Sequence, residues 1–201
     1  MAFTQTPLTL ASGSSIRRAI LEGAGLEFAV VRPTTDEAAI KAALLADYVS
    51  PRNIADALAE AKAVGVSQTV DGLVIGADQV LEVDGRLFDK PRDLREARER
   101  LEYLRGRDHR LLGAVVVAEA GRATWRHVAE TRLSMRAFSD AFLDAYIEAE
   151  GEALLASVGA YRFEGPGAQL FSRVEGDFFA VLGLDLLPLL DYLRLRGAIV
   201  E

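Results

Sequence analysis

Leu73-Val74-Ile75-Gly76-Ala77-Asp78-Gln79-Val80, written LVIGADQV, is the stretch on which the fold turns. Leu73 to Ala77 is too short and too continuously apolar for a surface helix, so it reads as a central strand covered on both faces. The reading delivers Asp78 at the end of that strand. Ligand sites in open α/β sheets gather at the carboxyl ends of strands, outside the sheet. An aspartate there deprotonates or orients a water, or holds a divalent ion; its bland alternative is to cap a turn.

On either side of this strand, helix-like and strand-like segments alternate without an internal repeat, which predicts an α/β architecture. Pro7 to Leu10 reads as a short buried strand, and Ser14 or Ser15 caps a helix that runs to Glu22 and stops at Gly23 or Gly25. Leu26 to Val31 reads as a second strand. A helix opens at Thr34-Thr35-Asp36-Glu37, and Ser50-Pro51 has the cap-then-proline order of the start of the next, which runs past Lys62. Asp84-Gly85 signals a hairpin, and Leu94 to Leu104 is helical by spacing and charge pairing. Ala114 to Val117 and Thr124 to Phe138 read as antiparallel strands joined at Gly121. Ser139 to Glu150 and Leu187 to Leu195 are the closing helices.

Composition bounds what such a chain does. Its 201 residues, half of them hydrophobic, suffice for one sizeable core or two small lobes, and no linker interrupts them, so residues 1–201 are read as a single domain. The net charge of -7 disfavours an extended nucleic-acid footprint. An anionic ligand must therefore meet local positive charge or a metal. The absence of cysteine excludes disulfides and thiolate metal sites. With neither a basic-then-apolar leader nor an apolar run near the roughly 20 residues that span a bilayer, the expectation is a soluble cytoplasmic protein without a membrane partner.

The loop Leu10-Ala11-Ser12-Gly13-Ser14-Ser15-Ile16-Arg17-Arg18 runs from a buried strand into small polar residues and then a helix start. Backbone N–H groups and hydroxyls converge there beside the helix's positive end, a place that favours an anion. Arg17 and Arg18 stand in the first turn, where the helix dipole disfavours cations, so helix stability does not explain them. The alternative is a capped helix with two solvated arginines. Glu37 has two accounts, because Thr34 and Glu37 fit a capping box while its carboxylate also suits a metal. Lys62 and Lys90 are uninformative taken singly. His109 and His127 lack metal-ligand spacing, no serine nucleophile elbow occurs, and Trp125, Phe171, Phe178 and Phe179 read as packing.

Taken in order, LASGSSIRRAIL, the Asp36-Glu37 pair, LAEAKA around Lys62, VIGADQV, DKP at Lys90, GAYRFEG and the closing VEGD resemble the Maf family along nearly the whole chain. The resemblance implies an elongated α/β fold of the kind shared with inosine triphosphatases: a mixed central sheet flanked by helices, with two lobes around a cleft, in an assembly that is often a homodimer. It implies hydrolysis of nucleoside triphosphates to monophosphate and pyrophosphate, assisted by Mg²⁺ or Mn²⁺. Asp78 matches the general base and, with Glu37, the metal-associated acids. Ser12, Arg17 and Arg18 match the phosphate-holding loop, and Lys62 and Lys90 match two lysines facing the polyphosphate.

Three positions bear on the base. Gln79 and Glu164 resemble the 7-methyl-GTP subgroup rather than the pyrimidine (dTTP and UTP) subgroup, whereas Ile16 departs from both. A carboxylate at Glu164 accepts hydrogen bonds from guanine N1–H and its amino group and favours a methylated, cationic base. Arg162 and Phe163 depart from the usual lysine-serine pair, and Phe179 and Ala180 replace polar residues of the family. The competing readings are a pyrimidine pyrophosphatase, a nucleotide-binding regulator of cell division with little turnover, and a house-cleaning enzyme of the inosine-triphosphate type.

Overall fold

The computed structural model describes residues 3–200. Seven strands join in one sheet: β1 (Leu8–Ala11), β2 (Ala29–Val31), β3 (Leu73–Val83), β4 (Arg86–Phe88), β5 (Asp108–Glu119), β6 (Arg122–Met135) and β7 (Phe171–Glu175). Their order is β2-β1-β3-β5-β6-β7, with β4 paired to β3. The helices are α1 (Ser15–Gly23), α2 (Glu37–Ala46), α3 (Pro51–Ser67), α4 (Leu94–Leu104), α5 (Asp140–Glu150), α6 (Phe178–Val181) and α7 (Leu186–Leu195). Two 3₁₀ segments, Gly151–Ala156 and Pro166–Leu170, precede β7.

The chain divides into two compact units. The first comprises residues 3–79, 113–129 and 178–200, and the second comprises residues 80–112 and 130–177. Every boundary but the last falls inside a strand, which is why no linker shows in the sequence.

In the first unit, β1 lies parallel to both β2 and the start of β3, with Leu8 opposite Leu73 and Ala11 opposite Gly76. Strand alternation sends Ile75 and Ala77 into a core shared with Leu8, Leu10, Leu21, Val115, Leu184, Leu189 and Leu193. Val74 faces the other way and packs with Ala11 and Val66 of α3. Ala59 and Ala63 of α3 are fully buried, and a Cβ on Gly76 would lie 2.4 Å from the Ala59 carbonyl oxygen and 2.7 Å from the Ala63 nitrogen. Only a glycine lets α3 approach β3 this closely.

In the second unit, Asp84 and Gly85 form the two-residue turn between β3 and β4, both at positive φ as a type I′ hairpin requires. Leu81, Leu101, Leu104, Leu133, Leu143, Leu154 and Leu170 are its largest fully buried side chains. His109, Tyr161, Phe163 and Phe171 form an aromatic cluster, with the Tyr161 and Phe171 rings edge to face at 4.9 Å.

Several expectations are corrected. β3 does not end at Asp78 but continues to Val83, because Val80, Leu81 and Val83 keep supplying buried apolar side chains. Asp78 nevertheless lies beyond the carboxyl end of β1, whose last partner on β3 is Gly76. The second strand is confined to Ala29–Val31, and β5 begins at Asp108, six residues before the expected start. The Thr34-Glu37 capping box does not form; Asp36 caps α2 instead, its Oδ1 accepting from the Ala39 N–H at 3.0 Å. Glu37 is thereby freed from a helix-capping role.

Candidate functional site

Two expected site residues of the first unit, Glu37 and Asp78, converge on Lys62. Its side chain leaves α3 next to Ala63, so the close approach at Gly76 carries it to β3. Lys62 Nζ lies 2.6 Å from Asp78 Oδ1 and 2.7 Å from Glu37 Oε2. Lys62 and Asp78 are only 6% and 9% exposed, whereas the Glu37 side chain is half exposed. Buried charges persist when they are paired, and one ammonium here holds two carboxylates from separate elements within reach of one another.

Ser12 and Arg17 build the adjoining loop. The Ser12 hydroxyl oxygen accepts from the Ser14 N–H at 3.2 Å and from Arg17 Nη1 at 3.4 Å, which leaves its O–H to donate. Ser14 is the N-cap of α1, accepting from the Arg17 N–H. The Arg18 N–H donates to the Ser14 carbonyl at 3.2 Å, so the N–H groups that α1 itself leaves without an acceptor are those of Ser15 and Ile16, as at every helix start. Arg17 Nη1 donates to the Ala77 carbonyl at 2.7 Å and Nε donates to the Gly183 carbonyl at 2.9 Å. Burial pulls the Arg17 pKa down while the charges of Asp78 and then Glu37 oppose it. Arg17 is thus a fixed cation in a crowded site, and Arg18, one residue on, is exposed.

Arg32 escaped the sequence reading. A Cβ on Gly13 would lie 3.4 Å from Arg32 Nε, so this exposed side chain lies directly over the loop. The signal was its place one residue beyond β2, at the same end of the parallel strands as Ser12.

The three positions expected to bear on the base take different surroundings. Ile16 is half-buried against the core of the first unit rather than standing free. Gln79 Nε2 donates to the carbonyls of Ala180 at 2.9 Å and Val181 at 3.3 Å. In the second unit, Glu164 Oε1 accepts from Arg162 Nε at 3.2 Å, and Arg162 Nη1 donates to Glu150 Oε2 at 3.0 Å. Burial lowers the Arg162 pKa, but its bonds to Glu150 and the charges of Glu150 and Glu164 outweigh it and raise the value. Lys90, also of the second unit, is exposed just beyond β4. The histidines serve packing: His109 Nε2 lies 2.9 Å from the Tyr161 hydroxyl, and His127 Nε2 lies 3.0 Å from Asp185 Oδ2.

Among the described residues no group of three or more histidine, aspartate or glutamate side chains is gathered as a metal cage. No helix among them is long and apolar enough to cross a membrane.

A parallel-strand end that gathers a serine loop, a helix start, a pinned arginine and a lysine between two carboxylates defines an α/β phosphate-handling protein. The chain belongs to the Maf family, whose description is "Maf-like protein", over residues 7–196. It is 60% identical over 194 residues to a nucleoside triphosphate pyrophosphatase of Caulobacter vibrioides, covering 96% of this chain and 98% of that one. It is 49% identical to a protein of the same name from Hyphomonas neptunium, covering 94% and 96% of the two chains. A 7-methyl-GTP pyrophosphatase of Rhizobium meliloti is 48% identical over 193 residues, covering 96% of this chain and 97% of that one.

Proposed function

We propose that this chain is a divalent-metal-dependent nucleoside triphosphate pyrophosphatase that releases pyrophosphate and a nucleoside monophosphate, with 7-methyl-GTP or a similar modified purine as its preferred substrate. Its membership of the Maf family and the names of its relatives support the reaction. The observation that carries it to individual residues is Lys62 Nζ held between Asp78 and Glu37.

Two nearby carboxylates, with no larger cage, fit Mg²⁺ or Mn²⁺, which are commonly held by one or two carboxylates plus substrate phosphates and water. Glu37 and Asp78 would hold the ion. When bound, it supplies charge neutralisation to the phosphates and polarises the anhydride under attack. Asp78 accepts the proton of the attacking water as the water oxygen bonds to phosphorus and the anhydride bond between the α and β phosphates breaks. The leaving pyrophosphate carries the electron pair away. Ser12 donates its hydroxyl to phosphate, and Arg17, Arg18 and Lys90 offer positive charge to the rest of the triphosphate. Lys62 keeps both carboxylates in place and faces the same charge. Glu164, held by Arg162, accepts from the guanine edge, and the relative named for 7-methyl-GTP supports that preference.

The test is pyrophosphate release from 7-methyl-GTP, GTP, UTP, dTTP and inosine triphosphate with Mg²⁺ or Mn²⁺, using Asp78→Asn as control. Preferential turnover of 7-methyl-GTP that disappears in the variant supports reaction and selectivity together. Faster turnover of UTP and dTTP keeps the reaction and overturns the selectivity. Binding of triphosphates without cleavage overturns the enzymatic reading.

A further inference from the structure

Asp78 and Gln79 are neighbours on one strand, and alternation sends their side chains to opposite faces of the sheet. Asp78 turns toward α3 and Lys62. Gln79 turns to the face of Ala77, where its amide donates to the Ala180 and Val181 carbonyls at the end of α6. The Ala180 carbonyl also accepts from the Gly183 N–H at 3.1 Å, so the Gln79 amide joins the turn that closes α6. Gly113 lies beside this contact: a Cβ there would meet Gln79 Nε2 at 3.9 Å and the Ala180 oxygen at 4.0 Å, ordinary van der Waals distances.

The segment that Gln79 ties down leads directly to Gly183, whose carbonyl accepts from Arg17 Nε. A Cβ built on Gly183 would find Arg17 Nε and Nη2 at 3.6 Å and Gln79 Oε1 at 3.7 Å. Both side chains therefore converge on one residue. Arg17's second anchor is the Ala77 carbonyl, on the strand that carries Gln79.

We infer that Gln79 is a positioning residue for phosphate binding: it fixes the Ala180 to Gly183 segment, and through the Gly183 carbonyl it sets the direction of the Arg17 guanidinium. This rests on the proposed role of Arg17 as a phosphate ligand. It assigns Gln79 an effect on the common triphosphate rather than a contact with the base, and so predicts an influence that is equal for every nucleotide. A guanidinium released from one of its two carbonyl anchors loses its fixed fork geometry, which is what makes arginine a directional phosphate ligand.

Inorganic tripolyphosphate, which has no base, separates the two kinds of role. Its binding with Mg²⁺ is measured by calorimetry for the wild type, Gln79→Leu, Gln79→Glu, Arg17→Ala and the double variant Arg17→Ala with Gln79→Leu. The expected result is affinity weakened about tenfold in Gln79→Leu, the size of one well-made charge-assisted hydrogen bond. The double variant should bind no worse than Arg17→Ala, because both changes break one linkage. Gln79→Glu keeps the size of the side chain but turns an acceptor toward the α6 carbonyls, and serves if the leucine variant does not fold. The kcat/KM ratio of GTP to UTP should stay constant across the Gln79 variants.

Unchanged tripolyphosphate binding with a shifted GTP to UTP ratio overturns the inference, as does a strictly additive double variant. A wild type that binds no tripolyphosphate overturns it too. Failure of the enzymatic reading is separate, because it shows as absent pyrophosphate release while the calorimetric comparison still reads the Gln79 linkage.

Discussion

Lys62 Nζ lies 2.6 Å from Asp78 Oδ1, a contact between a buried ammonium and a buried carboxylate sixteen residues apart. The same ammonium reaches Glu37, so removing either end changes the charge of the whole cluster. Asp78→Asn keeps the shape and removes the proposed proton acceptor. Pyrophosphate release should fall by about 10²- to 10⁴-fold while triphosphate binding, read by calorimetry, persists. Parallel loss of binding would make Asp78 an organiser of the site instead.

Glu37 is half exposed and caps nothing, so its carboxylate is available to an ion. Glu37→Gln should raise the Mg²⁺ concentration needed for half-maximal rate more than it lowers the rate at saturating metal. A chelator should abolish wild-type turnover, and added Mg²⁺ or Mn²⁺ should restore it. Turnover that survives exhaustive chelation would remove the metal from the scheme.

Gly76 sets the spacing between α3 and β3. Gly76→Ala places a methyl against the Ala59 carbonyl and the Ala63 backbone, and overpacking of this kind costs about 1–3 kcal/mol. Urea denaturation should show that loss, and activity should fall with it because Lys62 rides on α3. An alanine variant of full stability and activity would mean that the helix shifts without moving the lysine.

How much of this was legible in the sequence depends on whether the information was local. The caps at Ser14 and Ser50, the turn at Asp84-Gly85 and helix α4 follow from residues adjacent in the chain, and they stand where the pattern put them. Asp36 displaced Thr34 as cap because both fit the local chemistry and only the chain's entry into α2 selects between them. Lys62 looked like any solvated lysine, since its burial depends on a glycine fourteen residues away. The serine-rich loop was readable as a capped helix start, but the Gly183 carbonyl that holds Arg17 lies 166 residues downstream and carries no side-chain signal.

Arg32 offers a direct check on the loop. Its exposed side chain lies over Gly13, and Arg32→Ala should raise KM several-fold for all triphosphates with little change in kcat. An unchanged KM would make it a solvated charge beside the loop.

His109 gives the second unit a pH dependence. Burial lowers its pKa from 6.5 to about 4, with the Asp108 charge opposing. Above pH 6.5 the ring is neutral in both folded and unfolded chains. As pH falls from 6.5 toward 4 the unfolded chain takes up a proton that the folded chain refuses, so stability declines across that window, by about 3 kcal/mol in full. His109→Gln should flatten this part of the stability profile measured by denaturant at successive pH values. A profile identical to wild type would show that other groups carry the acid sensitivity.

The interleaving of the two units in the chain has a consequence for synthesis. β1 is synthesised long before Leu184, Leu186, Leu189 and Leu193, with which Leu8 and Leu10 share their core. Both stretches of the second unit, ending at residue 177, are complete before this closing piece exists. The first unit must therefore wait for residues 178–200 to emerge, so their synthesis sets the earliest moment at which Arg17 acquires its Gly183 anchor.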